Sequence, residues 1–348
     1  MPYVRLPKWQ LITDKEDFLG PPFRTRTFAF GGVNNTQVCS LVHYAHNSPS
    51  ETAILYLHGY TDYFFQIGLA KAINALGYPF YALDLQGYGR SIRPNAAPNS
   101  CNNLEQYFDD IAIALSNMRL DGIKQVIILA HSTSALIVGR FLQHLSASST
   151  SPSANEGTEH EQPTHTKWPK ISGLILNSPF LSLPYPPAQL PWMTAMLKGL
   201  TSILPFIKLV SHTDKLYAKS LHQSFHGEWD YRLDLKPSQG FPLSFQWLNA
   251  IIEAQQKLQQ QPINLPTLLC CSKKSTYNAT TLDALSEGDG VLDVDGMQNA
   301  AKRIFTHLHI NTIKGGFHDL YLSPPQARQD YMDAITLWLS SISQKKHC

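Results

Sequence analysis

Gln125-Val126-Ile127-Ile128-Leu129-Ala130-His131-Ser132-Thr133-Ser134-Ala135-Leu136-Ile137-Val138 decides the fold. A short β-branched apolar run reads as a buried strand, and the segment that follows carries helical character. Between them Ala-His-Ser-Thr-Ser leaves room for a sharp turn only. A strand–turn–helix elbow of this kind pushes one serine oxygen out at the carboxyl end of a sheet strand. Ser132 is therefore a candidate nucleophile, provided that a base and an orienting acid arrive from farther along the chain.

Outward from the elbow, strand and helix signals alternate. Upstream, Thr25 to Phe30 and Gln37 to Ala45 flank Gly31-Gly32-Val33-Asn34-Asn35 as a hairpin. Ala53 to Leu57 reads as a strand ending at His58-Gly59, Ile67 to Leu76 as a helix, and Pro79 to Asp84 as the next strand. Leu104, Tyr107, Phe108, Ile111, Leu115 and Met118 mark an amphipathic helix over Asn103 to Leu120. Downstream, Ile171 to Asn177 and Pro266 to Ser272 read as strands, as does the stretch near Ile304 to Asn311, with a helix over Leu243 to Gln260. Ser323-Pro324-Pro325-Gln326 looks like the cap of a final helix. Repeated strand–helix units predict an α/β fold with a mainly parallel central sheet and helices on both faces. Such sheets hold ligands at the carboxyl ends of their strands.

Two stretches break the alternation. Ser146 to Lys167, rich in Ser, Thr, Glu, His and Pro, cannot bury apolar surface and reads as a disordered loop. Ser178 to Gly240 is rich in Pro, Leu, Met and Trp and reads as a mostly helical insertion. The expected organisation is a core over 1–177, an inserted lid over 178–240 and a second part of the core over 241–348.

Composition narrows the function. A hydrophobic share of 43% and a charged share of 16% describe a globular protein with a sizeable core. The net charge of +2 offers no clustered basic surface for nucleic acid. Five cysteines are scattered without CxxC spacing, and Cys270 and Cys271, inside the apolar run Thr267 to Cys271, read as buried thiols, which suits a reducing compartment. Met1 to Gln10 lacks an apolar signal core, and no run reaches the roughly 18 apolar residues of a spanning helix. A cytoplasmic protein is the expectation, with peripheral membrane contact through the inserted segment as an option.

A serine hydroxyl becomes a useful nucleophile when a base takes its proton, and imidazole suits neutral pH. His318, in Gly315-Gly316-Phe317-His318-Asp319, follows the last strand and precedes the last helix. The ring needs a carboxylate on its far nitrogen. Asp289, in Asp289-Gly290-Val291-Leu292-Asp293, is the first choice. Asp293 is second and better suited to capping the next helix, while Asp319 diverges from its neighbour His318. Backbone N–H groups of Thr133 and Tyr60 are the expected oxyanion donors. His58 reads as a structural hydrogen-bonder. His307 with His309, and His160 with His165, offer metal-like pairs without further ligands, and no metal site is expected.

Together His58-Gly59, Asp84-Leu85-Gln86-Gly87-Tyr88-Gly89-Arg90-Ser91, His131-Ser132, Asp289 to Asp293 and Gly316 to Asp319 resemble the α/β-hydrolases. The resemblance is to the serine aminopeptidase-like group that includes monoacylglycerol lipases and lysophospholipases. Gly227-Glu228-Trp229-Asp230-Tyr231 through Lys236-Pro237 resembles one lysophospholipase-like branch. The resemblance implies an α/β-hydrolase fold with a helical lid after the sixth strand, and chemistry without metal or organic cofactor. The elbow departs from Gly-x-Ser-x-Gly, with Ala130 and Ser134 in place of the glycines. Trp192, Met193, Met196 and Leu197 are candidates to line an acyl tunnel or to pack the lid on the core. Three functions follow: hydrolysis of monoacyl lipid esters, aminopeptidase action with Glu228 and Asp230 on a substrate ammonium, or a non-catalytic binding protein. The oligomeric state is left open.

Overall fold

Nine strands form one mixed sheet in the computed structural model, which describes residues 7–31, 37–44, 49–94, 96–149, 168–183 and 212–344, with positions 196, 199 and 208–209 between the last two spans. In chain order they are β1 (Trp9–Glu16), β2 (Phe23–Phe30), β3 (Gln37–Tyr44), β4 (Thr52–Leu57), β5 (Phe80–Asp84), β6 (Gln125–His131), β7 (Lys170–Asn177), β8 (Ile263–Ser272) and β9 (Phe305–Ile313). Their spatial order is β1-β2-β3-β5-β4-β6-β7-β8-β9. The first three strands and β5 pair antiparallel, and the rest of the sheet is parallel.

The helices are α1 (Ile67–Ala75), α2 (Phe108–Leu120), α3 (Thr133–Ser149), α4 (His212–Leu221), α5 (Phe245–Leu258), α6 (Val294–Ile304) and α7 (Pro325–Gln344), besides single turns. Side chains alternate across the sheet, as strand geometry requires. Leu55 and Leu57 of β4, with Val126 and Ile128 of β6, face a core shared with α2, α3, α5 and α6. Ile54, Tyr56, Ile127 and Leu129 face the opposite core, closed by α1 and α7. Burial on both faces is why these strands read as continuous apolar runs. Cys270 and Cys271 are buried free thiols, as the sequence predicts, and so are Cys39 and Cys101.

Several expectations change. β1 went unseen because its supports are polar: Asp14 binds Arg24 and Arg26 of β2, and only Trp9 packs edge-on against Phe28 at 5.2 Å. The strand that precedes residues 178–240 is consequently the seventh. Residues 146–149 continue α3 rather than opening a loop, while 150–167, with His160 and His165, lie outside the described residues. The inserted segment is helical at α4, but from His222 to Pro242 it runs as turns and extended backbone. Gly227, Pro237, Gly240 and Pro242 interrupt helix there. Pro325 opens α7, so Ser323 sits two residues before the helix and serves another loop, described below. No helix among the described residues is long and apolar enough to cross a membrane.

Candidate active site

β6 delivers Ser132 into a left-handed backbone conformation, φ +55°. Thr61 (φ +49°) and Ser178 (φ +45°) share this conformation just beyond β4 and β7, the neighbours of β6. The elbow is held from β7: Ser132 N–H donates to the Asn177 carbonyl at 3.0 Å, and Phe180 N–H donates to the Ser132 carbonyl at 3.0 Å. Gly59 allows the close approach of the β4 loop, since a Cβ there would stand 3.1 Å from the Ser132 Cβ. Ser134 replaces the expected glycine without opening the turn. Its buried hydroxyl lies against three backbone carbonyls, of Leu57 and His131 at 2.9 Å and of His58.

His318 stands with Nε2 3.0 Å from Ser132 Oγ and Nδ1 3.0 Å from Asp289 Oδ2. All three residues are buried. Facing a carboxylate, Nδ1 carries the ring proton, which leaves the Nε2 lone pair to accept from the serine hydroxyl. Asp289 is itself fixed, because its other oxygen accepts the N–H groups of Val291 and Leu292, both at 2.9 Å. Asp293 does not reach the ring. It occupies the position before α6 without a side-chain cap, and the Val294 N–H donates to Ser275 Oγ instead. Asp319 diverges from His318 as expected, accepting from Asn177 Nδ2 at 2.8 Å and Gln66 Nε2 at 3.1 Å.

The loop carrying His318 has supports that sequence reasoning missed. Ser323 Oγ accepts the Phe317 N–H at 2.8 Å, and Tyr217 Oη of α4 accepts the Asp319 N–H at 2.8 Å. Asn177 Oδ1 accepts the Leu320 N–H at 3.2 Å. A polar residue ending a buried strand, as Asn177 does, was the available signal. Thr133 opens α3, where first-turn N–H groups lack intrahelical acceptors. Tyr60 follows Gly59 in the loop packed against the elbow.

His131, beside the nucleophile, donates from Nδ1 to the Asn177 carbonyl at 3.1 Å and lies 4.9 Å, ring to ring, from His318. Burial lowers its pKa, which the nearby Asp319 carboxylate only partly opposes. His131, Asp62 and Asp319 bring potential ligand atoms within 4.8 Å of one another. The set does not suit a cation: the Lys236 ammonium already sits on Asp62, and Asp319 is engaged by two amides. His58 is structural, bonding the Gly59 carbonyl through Nδ1 at 2.8 Å and accepting the Leu85 N–H at Nε2 at 3.1 Å. His307 and His309 are exposed on the edge strand β9. Trp192, Met193 and Leu197 lie outside the described residues, and Met196 is exposed.

Residues 48–151 match the family model described as serine aminopeptidase, S33. No curated protein matches the chain in sequence. Among solved structures, a monoacylglycerol lipase of Paleococcus ferrophilus aligns at 18% identity and TM-score 0.59, over 88% of this chain and 99% of that one. A soluble variant of monoglyceride lipase from Saccharomyces cerevisiae, in complex with a substrate analog, aligns at 13% and 0.59, over 98% of each chain. A carboxyl esterase of Bacillus coagulans aligns at 13% and 0.61, over 91% of this chain and 98% of that one. At such identities the likeness carries the architecture, and it agrees with the strand order and the elbow. The chain has the α/β-hydrolase fold, and over residues 48–151 its sequence matches the serine aminopeptidase, S33, family.

Proposed function

We propose that the protein is a serine carboxylester hydrolase acting on monoacyl lipids, of lysophospholipase or monoacylglycerol lipase type, in the cytoplasm. The observation that carries the reading is the buried relay from Ser132 Oγ through both nitrogens of His318 to Asp289, each link 3.0 Å long. In the proposed reaction Ser132 Oγ attacks the ester carbonyl carbon as its proton passes to His318 Nε2. Asp289 holds the tautomer and stabilises the imidazolium. The Tyr60 and Thr133 N–H groups receive the oxyanion. The imidazolium then returns the proton to the departing alkoxide, leaving an acyl-serine. Water repeats the sequence on that ester, giving the carboxylic acid and free Ser132.

Residues 178–240 act as the lid in this reading, with Trp192, Met193, Met196 and Leu197 on the acyl side. Two of the solved structures that share the fold, a monoacylglycerol lipase and a monoglyceride lipase, support a lipid ester. Each buried methylene contributes about 0.8 kcal/mol, so an apolar channel favours medium and long acyl chains. The test is hydrolysis of esters of graded length together with fluorophosphonate labelling. Rising kcat/KM with length and loss of labelling in Ser132→Ala are expected; a short-chain optimum overturns the lipid assignment, and labelling that survives Ser132→Ala overturns the nucleophile.

The family match itself favours a second reading, an aminopeptidase. Its acidic candidates serve it poorly, since Glu228 is bound by Arg328 at the surface and Asp230 is exposed. Cleavage of proline amides faster than esters decides for it. Absence of any probe uptake decides for the third reading, a binding protein.

A further inference from the structure

The segment Gly227–Pro242 grips the β4 loop residue by residue. Tyr60 Oη donates to the Pro242 carbonyl at 3.3 Å, and Thr61 Oγ1 accepts the Phe241 N–H at 3.2 Å. Asp62 Oδ1 takes the Lys236 ammonium at 2.5 Å, and Tyr63 Oη accepts the Arg232 N–H at 2.8 Å. Four consecutive loop residues are thus bound by one strap. Its other end is fastened by Trp229 Nε1, which donates to the Leu322 carbonyl at 2.9 Å, beyond His318.

Lys236 is the unusual member. A lysine is almost never buried without a partner, yet Lys236 is only 9% exposed and Asp62 2%. The ammonium also lies 5.5 Å from the Phe65 ring centre and 5.7 Å from that of Tyr231, where ring quadrupoles attract a cation. Burial raises the Asp62 carboxyl, but the charge and hydrogen bond of Lys236, with the nearby His131 and His58, together bring its pKa below the usual value, which favours the carboxylate facing the ammonium. A hydrophobic pair would hold a strap as firmly. The directed bond adds a fixed register, and it does so one residue from Thr61, whose left-handed backbone needs holding.

We infer that Lys236 is a positioning residue: clamped on Asp62, it locks the Gly227–Pro242 strap to the β4 loop and fixes the Tyr60 N–H on the oxyanion. The inference rests on the hydrolase reading above. It gives the Lys236-Pro237 part of the resemblance a physical role.

The experiment measures kcat and KM on a butyrate ester, and inhibition by an alkyl trifluoromethyl ketone. Ser132 adds to that ketone's carbonyl carbon and its proton moves to His318, so the adduct loads the oxyanion donors. Lys236→Met is expected to lower kcat about 100-fold. KM should stay within about threefold, and ketone affinity should weaken by the factor lost in kcat/KM. Lys236→Arg should recover part of both. If Lys236→Met fails to fold, Asp62→Asn with Lys236→Met removes the orphaned charge and must show the same split. Wild-type kcat and ketone affinity in a folded Lys236 variant overturn the lock and leave the hydrolase reading standing. A wild-type protein that neither turns over ester nor binds ketone overturns both.

Discussion

Ser134 turns an apparent defect of the elbow into a support. Glycine suits that position because strand and helix backbones crowd there, and serine is among the smallest substitutes. Its hydroxyl has one proton and three carbonyls within reach, so it supplies a donor where carbonyl dipoles converge inside the buried elbow. Ser134→Ala should therefore cost about 1–3 kcal/mol of stability, read as a lower urea midpoint, while kcat stays near wild type because Ser132 and His318 are untouched. A fall in kcat without a stability loss would refute this. The elbow residues and Asp289 were legible as candidates because each follows a strand with an apolar run, and His318 because glycines precede it in the loop between the last strand and the last helix. Ser134's partners were not, since backbone carbonyls of a distant strand leave no trace in sequence.

At the scale of elements, the ends of β6 and β7 and the loop before α7 act as one assembly, and Asn177 joins them. Its carbonyl takes the Ser132 N–H, its amide donates to Asp319, and its side-chain oxygen accepts the Leu320 N–H. Asn177→Leu leaves the buried Asp319 without one of its donors, which should cost about 2–3 kcal/mol. Because His318 adjoins Asp319, kcat should fall more than KM rises, as steady-state kinetics on the butyrate ester would reveal. Periodicity places Asn177 at the end of its strand, but these partners escaped the sequence reading because the pattern of a strand says nothing of which distant groups its last side chain meets. The misplaced Ser323 cap has a related cause: Ser-Pro-Pro-Gln fits a helix start, but the fold spends the hydroxyl on Phe317.

Across the whole molecule, acid should act in two stages. His131 and His43 are held below the ordinary histidine value of 6.5, His131 by burial against partial opposition from Asp319, His43 by burial and Arg26. The unfolded chain binds those protons first, so stability should decline as pH drops below about 6.5. Asp17 and Asp62 are lowered from 3.8: burial raises both, but Arg90 with the Thr25 and Leu19 hydrogen bonds outweighs it at Asp17, and Lys236 with His131 and His58 outweighs it at Asp62. Their contribution is present above that value and is lost as pH falls through the depressed folded-state values. Melting temperature from pH 8 to 3 should show both declines, with His43→Phe shrinking the first; a flat curve from pH 7 to 5 would contradict it. Architecture was readable at this scale because fully buried strands announce themselves. β1 and the strap were not, because polar cross-strand pairs and side-chain-to-backbone bonds hold them in place of an apolar stripe.

Thr61, Ser132 and Ser178 each carry a twist that side chains resist, at a cost of order 1–3 kcal/mol apiece. All three sit at one rim of the sheet, so tension gathers where chemistry is proposed; Asn99, at φ +57° in the loop after β5, is the one other described non-glycine residue so twisted. Mild heating or denaturant should relax that rim first, silencing the molecule while its framework is still intact.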